Sequence, residues 1–175
     1  MNKNKLAISI IASLFVLIIL LIGFYIFNSR DGDIKTEDYI LYNYIYNNNQ
    51  ELTIKKCVIV PKKQDTTAKI AVIIEYLEST LFDQNRVDFT YEETTKRLII
   101  NLNDDKANTI YESKWNNYFQ GSSGAEYTYK MLMNNIFQFE KKDEWIKEIE
   151  VQFNNRSMPE MDHINLSGVI TRNSF

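Results

Sequence analysis

Residues 6–27, LAISIIASLFVLIILLIGFYIF, run for 22 positions without a charge. As a helix rising about 1.5 Å per residue they would span roughly 33 Å, the thickness of a bilayer's hydrocarbon core. A run of this kind predicts a membrane span and sets the rest of the chain apart from it. A cleaved signal peptide has a shorter apolar core, about 7–15 residues, and small residues at its cleavage site. The core here is too long and its exit, Phe27-Asn28-Ser29-Arg30, offers no A-x-A pattern, so an uncleaved anchor is expected. Lipidation would need a cysteine directly after the run. The chain's one cysteine is Cys57, far downstream.

Flanking charge sets the expected orientation. Lys3 and Lys5 precede the run without an acid, whereas Arg30, Asp31, Asp33 and Lys35 nearly cancel after it. The positive-inside rule then places residues 1–5 in the cytoplasm and the remainder outside it, as a single-pass cell-membrane protein. Without those two lysines, 18 basic residues face 23 acidic ones, a formal charge of −5. That balance disfavours nucleic acid as a partner, and also close attraction to anionic lipid or wall polymers without bridging cations. Ser9 and Ser13 form a small-xxx-small pair of the kind found in helix dimers.

Residues 28–37 read as a polar tether and 38–175 as one domain, long enough for a core of its own. Residues 38–46 are dense in β-formers, with Ile40, Tyr42, Tyr44 and Tyr46 on one face. That tyrosine stripe reads as a half-buried sheet face, with a sugar-stacking platform as the alternative. A turn at 47–50 leads to a second strand over 52–60, stopped by Pro61. Cys57 lies in its apolar stretch and is expected to be buried, since an intermolecular disulfide would require exposure.

Ile70, Ile73, Ile74, Leu77 and Leu81 make one apolar stripe of a helix over 66–81, capped by Asp65 or Thr66. Residues 86–91 and 96–103 form a hairpin, with Val87, Phe89 and Tyr91 alternating on one arm and Leu98, Ile100 and Leu102 on the other. Residues 104–120 are weakly patterned, a loop with one short helix carrying Trp115 and Phe119. Ser123 and Glu126 have capping-box spacing and open a second helix bearing Ala125, Tyr129, Leu132, Ile136 and Phe139. Residues 149–153 alternate as a strand, Asn154-Asn155 turns, and a tail from Met161 to Ile170 packs back. The order β-β-α-β-β-α-β, with 38–60 in the main sheet and two helices over one face, is an α+β architecture.

The later motifs carry a resemblance. Leu98-Ile-Ile-Asn-Leu-Asn103, Gly121-Ser-Ser-Gly-Ala-Glu126, Asn134, Ile149-Glu-Val-Gln-Phe-Asn154, and Asp162-His-Ile-Asn-Leu-Ser167 with Thr171-Arg172 resemble the GerMN domain. This is the module of the GerM sporulation and germination proteins and of many envelope lipoproteins. The resemblance covers about 39–172. Asn101 stands where Asp is usual, Asn154-Asn155 replaces Asp-Gly, Asp162 replaces Gly before His163, and Asn165 replaces Asp. The anchor is a transmembrane helix rather than a lipidated cysteine. The resemblance implies a small α/β domain similar to the ring-building motifs of secretion and sporulation complexes, from proteins associated with assembling an envelope-spanning complex during sporulation, and described as a candidate ligand-binding module with no established catalysis.

The expected function is therefore a non-catalytic, membrane-anchored interaction module. Its expected partners are envelope or sporulation-complex proteins, with self-association open. The alternative is a binder of envelope glycan or a small ligand, at Gly121, Ser122, Ser123, Gly124, Glu126 and His163. A Gly/Ser loop before a helix can hold an anion on free backbone N–H groups, but neither a Walker lysine nor a dinucleotide fingerprint accompanies it. A wall hydrolase is the third reading. Ser122 or Ser123 with His163 and Asp162 can be drawn as a triad, yet no G-x-S-x-G elbow supports it. With 23 acids, some glycosidase-like carboxylate pair will always be found. Zinc at His163, Asp162 and Glu160 lacks any familiar spacing. No catalytic residue, metal or cofactor is assigned.

Overall fold

A computed structural model describes residues 36–47, 50–141 and 145–174. The expected span at 6–27 lies outside these residues, and among the described ones no helix is long and apolar enough to cross a membrane. The chain divides into two compact units, and the larger, Glu37–Val60 with Gln64–Phe175, contains the elements discussed below except for the first residue of the first strand, Thr36, and the last of the second, Pro61. Thr36 already belongs to the first strand, so the described fold takes in the last two residues expected in the tether.

The architecture is α+β. Strands β1 (Thr36–Asn47) and β2 (Gln50–Pro61) pair with each other, and helix α1 (Thr66–Thr80) follows. Strands β3 (Asp88–Glu92) and β4 (Arg97–Leu102) form the expected hairpin. A 3-10 turn at Ile110–Glu112, a one-turn helix α2 (Asn116–Phe119) and helix α3 (Ser122–Phe137) then cross to β5 (Glu148–Phe153). The crossover is needed because β5 runs parallel to β4, and parallel neighbours cannot be joined by a tight turn. Two short strands, β6 (Arg156–Ser157) and β7 (Val169–Thr171), pair antiparallel with the free side of β5.

Period-2 alternation fixes the sheet's two faces. Leu98 pairs with Ile149, Ile100 with Val151 and Leu102 with Phe153, and all six are buried. They join Ile70, Ile73, Ile74 and Leu77 of α1 and Met131, Leu132 and Ile136 of α3 in one core. The opposite face carries Arg97, Asn101, Glu148, Glu150 and Gln152; Arg97 pairs with Glu148 at 2.7 Å. Trp115 is fully buried, meets Phe82 edge to face at 5.3 Å between ring centres, and donates its indole N–H to the Asn103 carbonyl at 2.9 Å. Asp65 is the cap of α1, accepting from Ala68 N at 2.7 Å.

Residues 38–60 do not enter the main sheet, contrary to expectation. The cause lies on α3. The buried carboxamide of Asn135 accepts from Tyr42 N at 2.8 Å and donates to Tyr42 O at 3.0 Å. Gln138 does the same for Ile40, at 2.9 and 2.8 Å. Residues two apart on a strand turn their backbone groups to the same edge. Two side chains thus complete the edge of β1 that another strand would have occupied, while β2 pairs with the other edge. Asn135 and Gln138 are 0% and 2% exposed, and such groups are costly to bury unless paired.

This docking bears on two further expectations. Tyr42 and Tyr44 are buried, in keeping with a sheet face and against the stacking platform offered as its alternative, and Tyr39 and Leu41 on the other face are buried as well. Ile40 is half-buried, and the Tyr46 side chain lies outside what is described. Cys57, expected inside, is exposed, because β2 is the outer strand of the hairpin among the described residues.

Candidate functional site

The start of α3 differs from the expected capping box. Gly121 is the cap, at φ +73 and ψ 139, and Ser122 is the first helical residue. Ser123 therefore lies inside the first turn. Glu126 pairs with Lys130 one turn on, at 3.0 Å, instead of reaching back. A Cβ on Gly121 would meet nothing within 4 Å, so glycine is required there by the backbone angle alone. Residues 121–124 are all exposed, and Ala125 N makes the first helical bond, to Gly121 O at 2.9 Å. The amides of Ser122, Ser123 and Gly124 precede that bond and face outward at the positive end of a 16-residue helix.

The C-terminal tail comes to lie beside this end. Tyr111 donates to the Glu160 carbonyl at 3.0 Å, Leu166 is fully buried, and β7 fastens the tail to β5. His163, exposed, forms a wall between two depressions. One, of about 200 Å3, is lined by Gly121, Gln120, Tyr111, Met161 and Asp162. The other, of about 400 Å3, is lined by Ser122, Glu126, Tyr129 and Asn165. Four of the six expected binding residues, Gly121, Ser122, Glu126 and His163, thus converge, whereas Ser123 and Gly124 line neither hollow. Hydroxyl, amide and imidazole groups beside Tyr129 and Met161 suit a polar ligand with one apolar face. His163 forms no hydrogen bond with Ser122, Ser123 or Asp162 among the described residues, so the drawn triad is not assembled. Among the described residues, no three His, Cys, Asp or Glu side chains gather in a way that could hold a metal ion.

A carboxamide cluster on the open sheet face went unforeseen. Asn101 accepts from Asn155 N at 2.9 Å and donates to the side chains of Asn155 and Asn103, each at 2.8 Å. Asn103 in turn donates to Asp88. These residues line a hollow of about 190 Å3 with Gln152 and Thr90. Asn101 of β4 and Asn155 of the turn after β5 are therefore in contact. Asn154 and Asn155 both have positive φ, 49 and 59, which asparagine tolerates. Only strand register brings these groups together, and no spacing in the sequence marks them.

The hairpin supplies a third surface. Leu52, Ile54 and Ile59 of β2 are 49%, 48% and 65% exposed. Lys55 pairs with Glu140 and Glu51 with Lys130, the latter at 3.2 Å, so both charges are tied to the body.

No family model matches the chain, and no match is found among curated proteins or solved structures.

Proposed function

We propose that the chain is a non-catalytic, membrane-anchored interaction domain held outside the cytoplasm, with envelope or sporulation-complex proteins as its partners. The observation that carries this reading is the hairpin. Two buried carboxamides lock β1 onto α3, and the outer strand β2 presents exposed apolar side chains and an edge that no other described strand pairs with. A strand in that position is a ready template for another chain. The 22-residue apolar stretch and the resemblance to GerMN domains supply the membrane and the setting. The test is cross-linking of the full-length chain in membranes, followed by mass spectrometry. Defined envelope proteins should be enriched, and Leu52→Lys with Ile54→Lys should abolish the enrichment. Unchanged capture by that variant would sink the hairpin as the contact surface. Release of the chain from membranes by an alkaline wash would sink the anchor.

A second reading rests on His163, whose two hollows adjoin the open first turn of α3. In it, the site takes a polar envelope fragment such as a wall glycan. Titrating wall fragments while following the His163 imidazole by NMR should move its resonances. No movement at saturating fragment removes this reading.

A further inference from the structure

We infer that β2 is the pairing edge of a homodimer, in which it lies antiparallel to the same strand of a second copy with Thr53 on the two-fold axis. This rests on the interaction reading and assigns the β2 edge itself to a second copy, so that other envelope proteins would be captured by the joined pair and lost with it. The inference begins with β1. One edge of β1 is taken by β2, and the other is met at Ile40 and Tyr42 by Gln138 and Asn135. Among the described residues the open edge of the small sheet therefore belongs to β2, a 12-residue strand whose proline stands at its last position. Proteins commonly shield such an edge with lysines, a proline, a bulge or a covering segment; β2 carries Lys55 and Lys56, and the register below gives Lys55 an acidic partner. Here residues 51–57 are exposed throughout.

The sequence of this stretch is complementary to itself in one register. With Thr53 opposite Thr53, Leu52 faces Ile54 of the other copy twice, and Glu51 faces Lys55 twice. Each of these is a favourable cross-strand pair: threonine with threonine, branched aliphatics together, opposite charges together. Two-fold symmetry demands this reciprocity, since residue i must suit j wherever j meets i. Registers centred on Lys55 or Lys56 instead set lysine against lysine. Because paired positions differ by an even number, the outward-facing backbone groups of one strand meet those of the other. The electrostatics continue into the body. Lys130 already pairs with Glu51 and Glu140 with Lys55, so pairing two copies lines up charges alternately as Lys130, Glu51, Lys55 and Glu140. Leu52 and Ile54, the exposed apolar residues of this stretch, are the ones the register pairs.

The test uses the full-length chain in membranes, in a Cys57→Ser background with single cysteines along β2. A short bis-maleimide should join Thr53→Cys to its own copy. Lys56→Cys, three residues off the axis and so six residues from its mate, should stay unjoined. A charge swap provides the second measurement, by sedimentation of the full chain in detergent. Glu51→Lys or Lys55→Glu should weaken dimerisation at least about tenfold, and the double exchange should restore it. Uniform cross-linking along the strand, or none at position 53, overturns the register. A chain that stays monomeric yet captures other proteins through β2 overturns the dimer and leaves the interaction reading intact.

Discussion

Replacing Asn135 by leucine tests how β1 is held. The substitution keeps the volume and removes a side chain that makes two bonds to Tyr42 and a third to Met131 O at 2.8 Å. The Met131 carbonyl remains inside the helix, and the Tyr42 carbonyl keeps a contact from the Tyr76 hydroxyl at 3.3 Å. The Tyr42 N–H, in contrast, is left buried with no acceptor. An orphaned buried group costs about 1–3 kcal/mol, and the half-lost carbonyl bond adds to it, so the expected loss is about 2–4 kcal/mol. That is a large part of the roughly 5–15 kcal/mol that stabilises a domain. Hydrogen exchange on the full-length chain resolves it by residue. In the unaltered chain the Ile40 and Tyr42 amides should exchange as slowly as those of β4 and β5. In Asn135→Leu, Tyr42 should accelerate by roughly 30- to 1000-fold, the same energy expressed as an opening constant. Ile40, still gripped by Gln138, should change less. An unmoved denaturation midpoint together with an unchanged Tyr42 rate would refute the carboxamide ladder as the attachment of β1.

Three further outcomes are expected. Arg172 donates to the carbonyls of Phe137, Gln138, Phe139 and Lys141 at 3.0–3.4 Å, closing the negative end of α3, so Arg172→Ala should cost about 2–3 kcal/mol in chemical denaturation, and lysine should recover part of it. Burial alone would raise the Glu37 carboxyl, but bonds from Lys69 and Tyr39 and the nearby Lys141 charge hold it below its ordinary 4.5. Its contribution is thus complete above that value and is lost as pH falls through the lower folded one, and Glu37→Gln should flatten this acid limb of a pH–melting curve. Gly121→Ala should cost about 1–3 kcal/mol in thermal unfolding through backbone strain alone, since its added methyl meets no neighbour.

Strands β3, β4 and β5 of the main sheet were legible because their signals are local, whereas the short β6 and β7 were not. Leu98, Ile100 and Leu102 alternate with Arg97, Ile99 and Asn101, and one face of such a strand must be buried. The α1 stripe and its Asp65 cap are equally local. The placement of the hairpin was not legible, because it depends on what two polar side chains meet some 95 residues away. Asn135 and Gln138 sit beside the apolar residues of α3 and look like breaks in its stripe. Docked against β1, they widen its buried surface to take in Thr128, Met131, Met133, Asn135 and Phe137. Cys57 was misjudged for the related reason that an apolar strand does not state whether it is central or outermost. At the candidate site the motif order brought His163 to the Gly121 turn, yet the cap lay two residues before the expected serine. Positive φ at Gly121 overrides the serine-glutamate spacing there.

The two ends of α3 separate stability from recognition. Its last turn is largely occupied: Gln138 grips β1 and also donates to Asn135 O at 2.6 Å, its own backbone closes on Asn134 at 3.2 Å, and Arg172 reaches the carbonyls of Phe137 and Gln138. Its first turn carries outward-facing amides, a glycine whose shape needs no side chain, and His163 alongside. Free donors of this kind cost the domain little while water reaches them, and they stay available to an incoming acceptor. Substitutions at Arg172 should therefore change the melting temperature and leave any ligand-induced shift of His163 alone. Glu126→Gln should do the reverse, because its salt bridge to Lys130 is largely exposed and of small energetic value. A variant at either end that moved both quantities together would show that the helix transmits strain along its length.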